Sequence, residues 1–365
     1  MRIAIPRESL ADEQRVALTP NLIPELVQAG ATILLEKSAG LAAGYPDKDY
    51  HQVEICDDLA SLYQNADIIL KVQPPTAEEI RAYKKGAIVL SFLFPSRHPE
   101  IVDALRAQQV TSFAIELIPR ISRAQAMDAL SSQATAAGYK AALLAANMSS
   151  RFFPMLTTAA GTIRPVSVLV IGAGVAGLQA IATARRLGAL VKAYDIRSAT
   201  KEQVESLGAK MISIDIKAEA AGGYARELAS DEQEKQRAAL TDAIANTEVI
   251  IATAAIPGKP APKIITREMV EAMHAGALII DAAAESGGNC ELTEPGATVN
   301  HQGVTIHGPL NLASSLARDA SGMYAKNLVN FLKLLIKNGQ IAIDWEDAII
   351  AESLVTRDGE VKQAV

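Results

Sequence analysis

Short apolar runs alternate with amphipathic stretches along nearly the whole chain. RIAIP (2–6), ATILLE (31–36), ADIILKV (66–72), GAIVLSFL (86–93) and VTSFAIE (110–116) are short, apolar and rich in β-branched residues, which predicts buried strands. Segments such as NLIPELVQAG and HPEIVDALRAQQ lie between them and carry the periodicity of surface helices. Strand and helix alternating at this spacing predict parallel sheets with crossover helices, the α/β class.

From about Ser122 to Ser150 the rhythm breaks. This stretch has many Ala and Leu, no Pro and one Gly at 138, which predicts a long linking helix. A second series follows: SVLVIG (167–172), ALVKAYD (189–195), KMISI (210–214), EVIIATA (248–254), ALIIDAA (277–283) and VTIHG (304–308). Six strands suffice for a dinucleotide-type sheet. A last helix, about Ser321 to Lys337, is long enough to return to the first domain. The expected architecture is therefore two Rossmann-like, doubly wound parallel-sheet domains joined by long helices, with a cleft between them. The first is discontinuous, residues 1–135 completed by 311–365; the second spans 136–310. The segment AEAAGGYAREL (218–228) interrupts the second series, and its paired glycines before Tyr224 suit either a mobile surface excursion or an ordinary loop with a packed tyrosine.

Composition narrows the class. With 365 residues, about half of them apolar, the chain can bury two cores. Its 35 basic and 41 acidic residues leave a net charge of −6, and no basic run offers a footprint for nucleic acid. Two cysteines, Cys56 and Cys290, fit a reducing compartment rather than a disulfide framework, and MRIAIPRESL lacks the character of a secretory signal, so a cytosolic protein is expected. The twenty uncharged residues from Pro165 to Ala184 approach the length of a membrane span, but Gly172, Gly174 and Gly177 divide them into a strand, a turn and a helix.

That turn carries the strongest chemical signal. In Gly172-Ala173-Gly174-Val175-Ala176-Gly177 the first glycine permits a tight turn, the second lets a pyrophosphate approach the backbone, and the third allows close helix–strand packing. The following helix N-terminus offers unpaired N–H groups to phosphates. The next strand ends at Asp195, where a carboxylate can accept hydrogen bonds from ribose hydroxyls and repel a 2′-phosphate. Arg197 lies two residues on and could in principle greet such a phosphate, yet the acid at the strand end predicts NAD(H) rather than NADP(H).

A second constellation, Arg120-Ile-Ser-Arg123-Ala-Gln125-Ala-Met-Asp128-Ala-Leu-Ser131-Ser132, leads to Tyr139. If helical from Ser122, it places Gln125, Asp128 and Ser132 on one face. Such a group could order a nicotinamide and its ribose; equally, Ser122 could cap the helix with Gln125 completing a capping box. The five histidines are scattered without metal-ligand spacing, and no nucleophile elbow or Cys–His pairing is present. The chain has a nucleotide site and no evident acid/base machinery.

PRESLADEQRVALTP, RISRAQAMDALSSQA, GAGVAG, IPGKPAP (256–262), GGNCEL (287–292) and YAKNLVNFL (324–332) together resemble the NAD(H)-binding component of the proton-translocating nicotinamide nucleotide transhydrogenases, over essentially the whole chain. With no hydrophobic spans after its short C-terminal tail, the chain is similar to the form in which this component is a separate polypeptide. The resemblance implies that Arg120, Gln125, Asp128 and Ser131 hold the nicotinamide and its ribose. It also implies that Tyr139, Gly172 to Gly177, Asp195, Ile196, Arg197, Ala254 and Ala255 bind the rest of the nucleotide, and that Tyr224 belongs to a mobile loop closing over it. A homodimer docked on a membrane-spanning subunit and an NADP(H)-binding subunit, at the inner face of the cell membrane, is implied too. Alanine dehydrogenase is the sister family. Arg15 and Lys71 match positions where it holds its substrate, but its acid/base histidine would fall at Phe94, which cannot shuttle a proton.

Overall fold

The computed structural model describes residues 1–212, 230–256 and 258–362. They form two compact units, Met1–Gln133 with Ala313–Val365, and Ala134–Leu312.

In the first unit six strands run parallel: β1 (Arg2–Ile5), β2 (Thr32–Glu36), β3 (Val53–Cys56), β4 (Ile68–Leu70), β5 (Ile88–Ser91) and β6 (Thr111–Ala114). Their order is β3-β2-β1-β4-β5-β6, the doubly wound arrangement that reverses beside the first strand. The central strands are apolar on both faces because both are covered. One face packs on the Ala317–Leu335 helix, whose Tyr324, Leu328, Phe331, Leu332 and Leu335 fall on a helical stripe, and Phe113 meets Phe331 edge-on at 5.4 Å. The other face packs on Leu62, Tyr63, Ile80, Tyr83, Val102 and Leu105. Strand Leu354–Arg357 adds antiparallel to β6, with the Thr356 hydroxyl donating to the Val110 carbonyl at 2.8 Å.

The second unit repeats the order. Strands β7 (Ser167–Ile171), β8 (Leu190–Tyr194), β9 (Lys210–Ile212), β10 (Val249–Ala252), β11 (Leu278–Asp281), β12 (Thr298–His301) and β13 (Val304–His307) are arranged β9-β8-β7-β10-β11-β13-β12. Six are parallel, as expected. The seventh, β12, was not expected; it pairs antiparallel with β13 through a two-residue turn in which Gln302 and Gly303 both have positive φ, which suits the twist of a hairpin. The Pro165–Ala184 run is β7, the glycine turn and most of the Val175–Arg186 helix. Among the described residues no helix is long and apolar enough to cross a membrane.

The linking helix differs from expectation. It runs Ala129–Met148, not from Ser122; Ser122–Met127 is a 3-10 helix that breaks at Asp128. The Asp128 carboxylate accepts from the Ser131 amide at 2.8 Å and the Ser131 hydroxyl at 2.6 Å, so Asp128 is the cap and the helix begins after it. Neither Ser122 nor a box completed by Gln125 caps the segment.

Candidate functional site

The glycine turn in the second unit is built from backbone approaches. Gly172 has φ +92, and a Cβ on it would lie 2.8 Å from the Ala254 nitrogen; one on Gly177 would lie 1.8 Å from the Gly172 carbonyl oxygen. Both positions thus need glycine for the protein's own packing. Gly174 does not. A Cβ there would meet nothing nearer than an Arg197 nitrogen at 4.0 Å, so its bare backbone faces open space. Gly174 also begins the Val175–Arg186 helix without any side-chain cap, leaving N–H groups of the first turn to a ligand. An uncovered glycine backbone at an uncapped helix start fits a pyrophosphate.

Asp195, its side chain 6% exposed, ties the end of β8 to this turn. Its Oδ2 accepts from the Ala173 amide at 2.7 Å, and its Oδ1 from the Arg197 amide at 2.8 Å. The Arg197 guanidinium grips the same carboxylate through Nε at 2.9 Å and Nη2 at 2.8 Å. Ile196, between them, packs partly buried on the core. Across the turn, the Thr253 hydroxyl donates to the Gly172 carbonyl at 2.9 Å. The next residue, Ala254, is clamped by the buried Asn289, which accepts from the Ala254 amide at 2.9 Å and donates to the carbonyls of Ala254 and Pro262 at 2.8 and 2.9 Å. Ala255 beyond it is exposed. The structure therefore brings Gly172 to Gly177, Asp195, Arg197 and Ala254 together. Tyr139 projects, partly exposed, from the Ala129–Met148 helix directly after Gly138, which packs on Ala176. Tyr224 lies outside the described residues.

Thr253, Asn289 and Gly138 escaped the sequence reading as site residues. Asn289 stands in GGNCEL, but nothing local marks an asparagine whose partner is 35 residues away.

In the first unit, Gln125 and Arg120 are exposed and Asp128 and Ser131 are paired, as described above. The 3-10 segment is held from the Ala317–Leu335 helix: Asn327 and Asn330 both donate to the Ala126 carbonyl, at 2.9 and 3.0 Å, and the Ser132 hydroxyl donates to Asn327 at 2.7 Å. These asparagines belong to the YAKNLVNFL motif, which thereby acquires a physical task. Arg123 is committed elsewhere, to Asp347 at 2.7 and 2.8 Å.

Arg15 and Lys71 are buried and ion-paired. Arg15 places Nε and Nη2 on Glu13, at 2.8 and 2.6 Å, and Nη1 on Gln133 at 2.8 Å. Lys71 lies 2.9 Å from Glu79 and 3.5 Å from Glu8. Burial works against its charge, but the two carboxylates outweigh it and hold the lysine above its ordinary range. Burial likewise opposes the Glu13 carboxylate, and the Arg15 guanidinium overrides it, bringing the group down to about 2. Phe94 stacks on Phe92 at 5.6 Å, and its amide and that of Leu93 donate to Glu116, whose carboxyl burial pushes up to about 7. Among the described residues no group of three or more His, Cys, Asp or Glu is placed to hold a metal ion.

The sequence of these two units matches two family models, the N-terminal domain of alanine dehydrogenase/PNT over residues 4–137 and its C-terminal domain over 141–364. The chain belongs to the alanine dehydrogenase/PNT family. Within that family the likeness is strongest on the transhydrogenase side. The chain is 46% identical to a Rhodospirillum rubrum polypeptide that forms the first portion of NAD(P) transhydrogenase subunit alpha, over 99% of this chain and 97% of the relative. Its fold superposes on the crystal structure of transhydrogenase from Sinorhizobium meliloti with a TM-score of 0.87 and 41% identity, covering 99% of this chain and 98% of that one. Alanine dehydrogenase of Bacillus subtilis is more distant at 27% identity, over 99% of this chain and 92% of the relative. The alanine dehydrogenase/PNT family is one of nicotinamide nucleotide oxidoreductases, and the glycine turn of this member suits such a nucleotide.

Proposed function

We infer that this chain is the NAD(H)-binding subunit of a proton-translocating NAD(P) transhydrogenase, passing hydride directly between its own NAD(H) and NADP(H) on a partner subunit. The observation that carries the reading is the uncovered Gly174 backbone at an uncapped helix start, with Asp195 alongside, in a chain that matches a transhydrogenase subunit from end to end.

The residues divide the work. The first-turn N–H groups after Gly174 hold the pyrophosphate, and the helix start favours its charge. Asp195 accepts hydrogen bonds from the adenosine ribose, with Ile196 and Arg197 beside it and Ala254 and Ala255 across the turn. Tyr139 and Tyr224 contribute to the rest of the nucleotide. Arg120, Gln125, Asp128 and Ser131 orient the nicotinamide and its ribose. When bound, the nicotinamide supplies or accepts the hydride. Holding two such rings in close approach away from water needs no general base, which agrees with an apolar Phe94 stack where a proton carrier would otherwise stand.

The partners follow from the same reading: a membrane-spanning subunit, an NADP(H)-binding subunit, and a second copy of this chain, the whole held peripherally at the inner face of the cell membrane. An exposed hairpin, Leu156–Thr158 with Gly161–Ile163, supports the homodimer. A lone two-stranded hairpin is marginal in water, and Phe152, Met155 and Ile163 are exposed at its base and on its strand, offering a second copy apolar surface.

The test is reconstitution. Alone, the chain binds NADH and oxidises no small metabolite; with an active NADP(H)-binding partner it transfers hydride between nucleotides. No transfer in that mixture sinks the reading. Turnover of alanine with NAD on the order of 1 s⁻¹ would do so too, since it requires substrate donors that Arg15 and Lys71 have already committed to Glu13, Gln133, Glu8 and Glu79.

A further inference from the structure

Asn289 is held from both sides by one oxygen atom. Asp281 ends β11 fully buried, and its Oδ2 accepts from the Cys290 amide at 2.9 Å and the Thr293 hydroxyl at 2.6 Å. On the other side of Asn289, Gly288 has φ +80, and a Cβ on it would lie 2.7 Å from the same Oδ2. The Asp281 Oδ1 accepts from the Ala283 amide at 3.2 Å, so one carboxylate grips the 283–293 loop near both its ends. These donors are neutral, and burying a carboxylate among neutral donors is costly. What it secures is direction: with Gly288 pressed against Oδ2 and Cys290 bonded to it, the Asn289 side chain has one way to point.

That direction reaches the glycine turn. The Asn289 side chain clamps the amide and carbonyl of Ala254, and its own carbonyl accepts from the Ile264 and Ile265 amides at 2.9 and 3.0 Å. Ala254 is the backbone against which Gly172 packs, and its neighbour Thr253 bonds the Gly172 carbonyl. We propose that Asp281 is a positioning residue for nucleotide binding, which acts through Asn289 to fix Ala254 against the turn. The inference rests on the NAD(H) reading above and deepens it, adding a residue whose carboxylate bonds within the 283–293 loop.

The experiment is NADH titration by fluorescence on the full chain, run below the melting point of each variant as read by thermal denaturation. Asp281→Ala removes the acceptor and should weaken NADH binding by about tenfold. Asp281→Asn still presents an oxygen at the Oδ2 position and should stay within about threefold of wild type. Asp281→Ala combined with Asn289→Ala should lose about tenfold rather than about a hundredfold, because the two residues act in series. Thr293→Val is the second variant, should Asp281→Ala not fold. It deletes the shortest of the carboxylate's bonds, and should cost about threefold in the native chain and nothing further on top of Asn289→Ala. Three results overturn the proposal alone in a chain that binds NADH: unchanged affinity in the folded variant or in Asn289→Ala, losses that multiply in the double variant, or a loss in Asp281→Asn as large as in Asp281→Ala. A wild type that binds no NADH overturns the NAD(H) reading itself, and this inference with it.

Discussion

Gly138 lies against Ala176 so closely that a Cβ on it would stand 2.0 Å from the Ala176 carbonyl oxygen. Ala176 belongs to the glycine turn, so the interior of one helix rests directly on the candidate nucleotide site. Alanine in a helix interior ordinarily gains about 1 kcal/mol over glycine. Gly138→Ala should do the reverse, because the contact is with backbone that cannot rotate away; overpacking of this kind costs about 1–3 kcal/mol. We expect a lower melting temperature and weaker NADH binding together. A rise in melting temperature with unchanged binding would show that the two helices separate freely.

Asn289→Ala should be costly for a residue far from any reacting atom. It strips the partner from the Ala254 amide and from the carbonyls of Ala254 and Pro262. Each group left buried without a partner costs about 1–3 kcal/mol. Chemical denaturation should show a loss of at least about 2 kcal/mol, and NADH titration a weaker complex, since the freed loop faces Gly172.

Gln125 and Asp195 should separate chemistry from binding. Gln125→Ala should leave NADH affinity within about tenfold, or 1.4 kcal/mol, yet slow transfer to NADP by about a hundredfold. Asp195→Ala should weaken NADH binding while transfer at saturating NADH stays near normal. NADH titration and single-turnover transfer with the partner measure the two effects. Normal transfer by Gln125→Ala would mean that the RISRAQ segment serves only to lead into a helix.

The buried carboxyls give opposite pH signatures. Glu13 is held at about 2 against an ordinary 4.5, so its contribution is present above pH 4.5 and is lost as pH falls toward 2. The shift corresponds to about 3 kcal/mol. Glu13→Gln should flatten that part of the stability profile. Glu116 is raised to about 7, so its contribution is present below pH 4.5 and fades as pH rises through 7. Relative to wild type, Glu116→Gln should therefore fare better at pH 8 than at pH 5. Denaturation midpoints across pH 2–8 check both signs.

Most strands were legible because a strand buried on both faces must be a continuous apolar run, as in Ile68–Leu70 or Val249–Ala252. The edge strand Val53–Cys56, largely exposed and carrying Glu54, offers no such run and was missed. Asp128 misled for a different reason. Its neighbours favour helix, but a short acceptor side chain can take the amide three residues on, which places the helix start at Asp128 rather than Ser122. The glycine turn was readable since the positive φ of Gly172 and the approach of Gly177 to the Gly172 carbonyl are both demands local in sequence. What Arg197 does was not, because a guanidinium serves carboxylate and phosphate alike until its partner is known. Asn289 and Asn327 act only through groups brought near by the fold.

The strand Leu354–Arg357 and the Ala317–Leu335 helix complete a sheet whose other strands were made some two hundred residues earlier. Synthesis runs from the N-terminus, so the ribosome delivers β1 to β6 with Phe113 uncovered and the β6 edge open. The whole of the second unit then emerges before Phe331 and Thr356 arrive to cover them. The second unit can fold as soon as its own residues have emerged; the first must wait until Phe331 and Thr356 have been made. The nascent chain thus spends that interval with an adhesive sheet edge exposed, and slowing translation across residues 134–312 should lengthen its dependence on chaperones.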